Sequence, residues 1–218
     1  QIWKVTADGE ISVFAEDAPL AAPNGVAIEA DVVEIGLWFY PEGERPEIET
    51  RGEVLYRVDR MNGMPRGGDI LIPPYGEQVL QGVHVLKSPT LISGFRPHMH
   101  MRGKEMSMEA IYPDGRREML GKVSDYRHIW QLSYQFEEDA KPLLPAGTML
   151  LFTSVFDNSA ENPLNPDPNQ WVVFGRRGVD EMSHMWVGTT ILEQEEYDTM
   201  LERRQERQEQ LATQAGGG

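Results

Sequence analysis

Beyond residue 53 the chain keeps breaking its apolar runs with Pro, Gly and Asx clusters, and this punctuation limits the fold more than any other feature. The breaks include Pro73-Pro74-Tyr75-Gly76, Pro113-Asp114-Gly115 and Pro145-Ala146-Gly147. An amphipathic helix needs ten or more uninterrupted residues with apolar positions three and four apart, whereas a strand needs only four to eight. The runs between the breaks are therefore read as strands, at 53–60, 69–72, 78–86, 91–101, 105–112, 116–123, 129–136, 148–156, 171–174 and 184–192. The clearest pattern is Trp130, Leu132, Tyr134 and Phe136 alternating with Gln131, Ser133 and Gln135. Period 2 predicts one buried and one wet face. Pro113-Asp114-Gly115 predicts a tight hairpin between its flanking strands. Many short strands joined by such turns mean an antiparallel sandwich or barrel.

Both ends of the chain differ from this middle. In residues 1–31, strands at 2–6 and 10–14 flank Asp8-Gly9, and Pro23-Asn24-Gly25 precedes another at 26–28. Asp8-Gly9-Glu10-Ile11-Ser12-Val13-Phe14 with Pro23-Asn24-Gly25-Val26-Ala27 resembles one blade of a gluconolactonase-like β-propeller. In that family the Asn of such a turn can bind metal. One blade cannot bury its own faces, and no repeat follows, so the segment is expected to be a relic or linker. An apolar strand is expected at 32–40, with polar loops at 41–52 and 61–68. Residues 157–170 hold four Asn and three Pro, which suits a long ordered loop, or less readily oxygen ligands for calcium. Residues 193–211 are rich in Glu, Gln, Arg and Leu without Gly or Pro, with acids first and arginines later, as a helix dipole prefers. The expected organisation is thus 1–31, a main domain at 32–192, and a charged helix and tail at 193–218.

Charge and cysteine content narrow the chemistry. There are 35 acidic and 20 basic residues, a formal net charge of −15, which disfavours nucleic acid and anionic membrane surfaces. No apolar run approaches a membrane span, and no leader sequence is expected. The chain starts at Gln1 rather than Met, as a processed chain would. With no cysteine, disulfides, thiolate zinc sites and cysteine nucleophiles are excluded.

Two of the five histidines are His98 and His100, within Phe95-Arg96-Pro97-His98-Met99-His100-Met101-Arg102-Gly103-Lys104. On a regular strand both would point one way, a ready pair of metal ligands, with Met99 and Met101 on the opposite face. Met106 and Met108 share a face with Ala110 and Tyr112 and read as core. Asp180-Glu181-Met182-Ser183-His184 opens the strand at 184–192. A thioether is a poor ligand for hard metals and a reasonable one for Cu(I). Two imidazoles and a weak thioether would leave a coordination position open for dioxygen, although Met182 at a strand start also reads as core. A rival pattern is His98-x-His100-x4-Glu105, a cupin-like set for iron or manganese. The second cupin motif needs a His shortly after Pro145-Ala146-Gly147, where Thr148, Met149 and Leu150 stand instead. Glu105 is then expected on the wet face of its strand.

Beyond the His-Met-His run, Ile72-Pro73-Pro74, Tyr112-Pro113-Asp114-Gly115, Leu144-Pro145-Ala146-Gly147-Thr148, Phe156-Asp157-Asn158-Ser159-Ala160-Glu161-Asn162-Pro163 and Asp180-Glu181-Met182 follow in a telling order. Together they resemble the C-terminal domain of copper type II, ascorbate-dependent monooxygenases, the peptidylglycine α-hydroxylating and dopamine β-monooxygenase family, in a form closer to its bacterial relatives. The resemblance covers about residues 32–192. It implies an all-β jelly-roll sandwich with copper held by His98, His100 and Met182. It implies dioxygen activation, hydroxylation of a small-molecule substrate, and a periplasmic or secreted setting. Arg96 occupies the place of an arginine that contacts the substrate carboxylate in the peptide-hydroxylating member.

The chain also departs from that pattern. His184 and Trp186 stand where the peptide-hydroxylating member has an Asn and a Tyr that hold the peptide carboxylate. His184 is open to three roles: extra ligand, support for a ligand, or substrate contact. The family proper carries a second copper on three histidines of another domain. Residues 1–31 cannot be that domain, and His84 and His128 form no cluster in sequence. A second copper would have to come from a partner domain. A copper-binding module without catalysis is the competing expectation.

Overall fold

A computed structural model describes residues 2–5, 11–15, 26–29, 32–35, 43, 53–57 and 70–215. The chain divides into two compact units, residues 1–49 and 50–218. In the first, β1 (Ile2–Val5) pairs antiparallel with β2 (Ile11–Ala15), and β3 (Val26–Glu29) with β4 (Val32–Ile35). The Pro23-Asn24-Gly25 turn, most of the expected loops at 41–52 and 61–68, and the glycines of the tail lie outside the described residues.

The second unit is an antiparallel β-sandwich of jelly-roll type. Its strands are β5 (Glu53–Arg57), β6 (Leu71–Ile72), β7 (Glu77–Val85), β8 (Thr90–His98), β9 (Gly103–Ile111), β10 (Arg117–Val123), β11 (Tyr134–Gln135), β12 (Leu143–Leu144), β13 (Met149–Asp157), β14 (Val172–Val173) and β15 (His184–Ile191). One layer has the order β10-β9-β13-β7 and the other β11-β8-β15-β5, with β12 also on β8. Successive strands cross between layers, from β7 to β8 and back to β9, so both layers are built from distant parts of the chain. The short pair β14-β6 stands apart. A helix, α1 (Gln194–Ala215), follows β15. Among the described residues no helix is long and apolar enough to cross a membrane.

Alternation builds the core. On β13, Leu150, Phe152, Ser154 and Phe156 are buried while the residues between them are half-buried. Met106, Met108 and Ala110 of β9 are fully enclosed, as their spacing predicts. Across the layers Tyr56 stacks on Phe152 with ring centroids 5.0 Å apart. Burying side chains of this size contributes roughly 1.5–3 kcal/mol each. The Phe95 ring fills the space over Gly121, where a Cβ would come within 2.3 Å of it. The predicted hairpin at Pro113-Asp114-Gly115 forms with Gly115 at φ +86°, and Arg116 N–H bonds to the Asp114 carboxylate at 2.9 Å.

One strand is much shorter than its pattern suggests. Only Tyr134 and Gln135 of the expected 129–136 strand pair with β8. Trp130 N–H bonds to Arg127 C=O (2.8 Å) and Leu132 N–H to Trp130 C=O (3.0 Å), so local turns replace the ladder. Trp130 and Leu132, expected to be buried, are exposed at 66% and 52%. Tyr134 and Phe136 keep the expected packing, with Tyr134 stacked on Phe95 at 5.2 Å.

Candidate metal centre

The register of β8 against β15 sets out the site. Phe95 pairs with Val187, Arg96 with Trp186, Pro97 with Met185, and His98 with His184. Phe95, Met185 and Val187 belong to the core, so Arg96, His98, His184 and Trp186 lie on the opposite face of the sheet. Two cross-strand pairs result. The Arg96 guanidinium sits 5.4 Å from the Trp186 ring centre, and the His98 and His184 rings stack at 5.8 Å.

His98 and His100 do meet, but not by strand alternation. Strand β8 ends at His98, and Gly103 N–H bonds to His100 C=O at 3.1 Å, closing a turn. The two rings stand edge to face with centroids 5.3 Å apart. Met99 is fully buried in the core, while Met101 is half-buried. A glycine is required after this turn. A Cβ on Gly103 would come within 2.6 Å of the Met99 Cβ and 2.9 Å of the Tyr126 ring.

Hydrogen bonds determine the tautomer of both rings. His100 Nδ1 lies 3.0 Å from the Asp180 carbonyl oxygen, which only accepts, so that nitrogen carries the proton. His98 Nδ1 lies 2.7 Å from Gln131 Oε1. The Gln131 amide is oriented because its Nε2 donates to His128 C=O at 3.1 Å, so His98 also donates from Nδ1. With Nδ1 donating, the neutral form of each ring keeps its lone pair on Nε2. Histidine ligands in metal sites are typically held this way, with the other ring nitrogen donating to an oxygen. Burial lowers the His98 pKa, opposed by the Gln131 bond and assisted by the nearby His100, His184 and Arg96 charges. The neutral form that a metal needs is thus favoured.

The turn bearing His100 is pinned from three sides. Glu181, fully buried, accepts His100 N–H at Oε2 (2.8 Å) and Arg102 N–H at Oε1 (2.6 Å). The Tyr126 hydroxyl accepts Met99 N–H (2.9 Å) and donates to Met99 C=O (2.8 Å), and burial raises its pKa to about 12. Arg102, 2% exposed, reaches Asn158 Oδ1 (2.7 Å) and Val179 C=O (2.8 Å). The Asn-rich loop at 157–170 is ordered around it. Asn158 Nδ2 donates to the carbonyls of Pro73 and Gln170, and Asn162 Nδ2 to those of Asp157 and Met101.

Met182 is half-buried, between Asp180, whose carbonyl meets His100, and His184, which lies against His98. His184 is buried, with the Phe174 ring centre 6.5 Å from its own. Among the described residues, no group of three or more His, Asp or Glu side chains could hold a metal ion. The set read from sequence has only two imidazoles, with a thioether as its third donor. Glu105 is not at the histidines; it pairs with Lys122 across β9 and β10 at 2.8 Å, in the other layer.

Sequence reasoning missed Gln131, Tyr126 and the inward role of Glu181. Gln131 was hidden by the alternation that placed it on a wet strand face. Glu181 stood inside the quoted Asp-Glu-Met motif, but nothing in one sequence says a glutamate is buried. No protein-family model matches the chain, and no curated protein matches it significantly.

Proposed function

We propose that His98, His100 and Met182 hold a copper ion and that the domain is an oxygenase-like module. The single observation that supports this best is the paired Nδ1 donation of His98 to Gln131 and of His100 to Asp180, which leaves two Nε2 lone pairs on adjacent rings. Soft and borderline donors of this kind, two imidazoles and a thioether, suit Cu(I). Copper bound there would supply one-electron redox chemistry toward dioxygen for C–H hydroxylation, with ascorbate as reductant. The chain's own residues hold and shield the site: Gln131 and Asp180 set the ligand tautomers, His184 packs on His98, and the Arg96–Trp186 pair borders it for a small-molecule substrate. The second copper of a full hydroxylase would come from a partner domain.

The reading as a non-catalytic metal-binding module draws support from the remaining histidines. His84 packs on Tyr56 at 4.7 Å, and His128 leaves a buried Nδ1 without a hydrogen-bond partner. The two do not assemble with other ligands among the described residues. Copper titration of wild type, Met182→Ala and His98→Ala, with X-ray absorption of the Cu(I) form, tests the site. The expected result is a sulfur scatterer in wild type that Met182→Ala removes. Wild type binding copper no better than His98→Ala would refute the assignment. Product or peroxide formation with ascorbate then separates the oxygenase from the binding module.

A further inference from the structure

We propose that Glu181 is a positioning residue for His100, a buried carboxylate on which the two ligand-bearing segments are assembled. This rests on the reading of His98, His100 and Met182 as ligands. The carboxylate is fully buried, and its oxygens take different partners: Oε2 accepts His100 N–H and Oε1 accepts Arg102 N–H. One side chain therefore holds the backbone of one imidazole ligand and the far end of the same turn, and it belongs to the residue that directly precedes Met182 in the chain.

The backbone of Glu181 is itself held in place. Its N–H donates to Val173 C=O (3.1 Å), and its C=O accepts Gly175 N–H (3.0 Å), which locks it to the end of β14 and the residues just after it. The residue before it supplies the carbonyl that orients the His100 ring. Backbone and ring of His100 are thus both referred to the dipeptide Asp180-Glu181. His98 has no such tie, because its ring is oriented by Gln131 from a separate loop. Glu181 therefore sets where His100 stands relative to Met182, and Gln131 acts on His98 alone. Supporting residues of this kind typically change metal affinity 10- to 100-fold when lost.

The isosteric variant Glu181→Gln isolates this role. It keeps the volume but turns one acceptor into an NH2 group facing a backbone N–H. Two measurements read the outcome. Nitrogen-15 NMR of the metal-free protein reports the His100 tautomer. Titration with copper(II) alone, followed by electron paramagnetic resonance, reports affinity and ligand geometry. Thr148→Ala is the control for mere destabilisation, since buried Thr148 bonds to Pro145 C=O (2.8 Å) away from the histidines.

The expected result for Glu181→Gln is a mixed His100 tautomer, copper affinity reduced 10- to 100-fold, and an altered hyperfine splitting, with Thr148→Ala leaving all three unchanged. If Glu181→Gln does not fold, Glu181→Asp carries the same measurements, since it keeps the charge and shortens the reach by one methylene. A wild-type tautomer, affinity and spectrum in the variant would overturn the proposal. Wild type binding copper no better than His98→Ala would instead defeat the metal reading, and the metal-free tautomer would still decide whether Glu181 positions His100.

Discussion

Replacing Gln131 by leucine should weaken metal binding while leaving the fold almost untouched. The side chain makes two hydrogen bonds, accepting from His98 Nδ1 at 2.7 Å and donating to His128 C=O at 3.1 Å. Gln131 is exposed, so water can take its place at both groups, and the stability loss should stay below about 1 kcal/mol. Its effect on the ring is different in kind. A net bond of about 1 kcal/mol biases the tautomer about fivefold, since 1.4 kcal/mol is a factor of ten. A ligand at Nε2 needs the tautomer that Gln131 selects, so copper affinity should fall by up to about fivefold. The His98 pKa, already lowered by burial, should drop further, because the Gln131 bond is the influence that raises it. The assay is Cu(I) competition titration together with nitrogen-15 NMR of His98 across pH. An unchanged tautomer, pKa and affinity would refute the argument that Gln131 orients His98.

Further predictions concern the buried polar groups around the site. Ser154 and Ser183, both buried, share one hydrogen bond of 2.6 Å. Ser154→Ala should cost about 1–3 kcal/mol by stranding Ser183, and Ser154→Ala with Ser183→Ala should cost less than the two single losses combined, as urea denaturation would show. Burial raises the Glu181 carboxyl to about 7 from an ordinary 4.5, against the pull of the Arg102 and His100 N–H groups and the Arg102 charge. The folded state thus binds this proton more tightly than the unfolded state. Its contribution is fully present below pH 4.5 and is lost as pH rises through about 7. At about 1.4 kcal/mol per pH unit, that separation is worth on the order of 3 kcal/mol. Urea denaturation of metal-free wild type and Glu181→Gln at both ends of this range should give a flatter profile for the variant. Equal slopes would show that Glu181 does not titrate there.

Local pattern carried most of the fold. Strand propensity and turn residues act over a few positions, so the strands 78–86, 105–112, 116–123, 148–156 and 184–192 and the Asp114-Gly115 turn were all legible before any packing was known, while the strand expected at 91–101 stops at His98. The burial of Met106 and Met108 followed from period 2 alone. The same rule failed at Trp130 and Leu132, because alternation assumes a partner strand, and there the chain bonds to itself in turns instead.

The site divides along the same line. His98 and His100 are near in sequence, so their pairing was readable from the chain, although the turn at His100 rather than a strand face brings them together. What the sequence alone determined is a set of short strands and a pair of imidazoles at one strand end. The tertiary structure decided which nitrogen each ring exposes, because Asp180 and Gln131 approach from remote segments. It also decided that Glu181 is buried beneath the turn and that His184 lies against His98. Hydrogen bonds between segments this far apart depend on which strands become neighbours, here β11 and β15 on either side of β8 in one layer, and local propensity holds no information about that order.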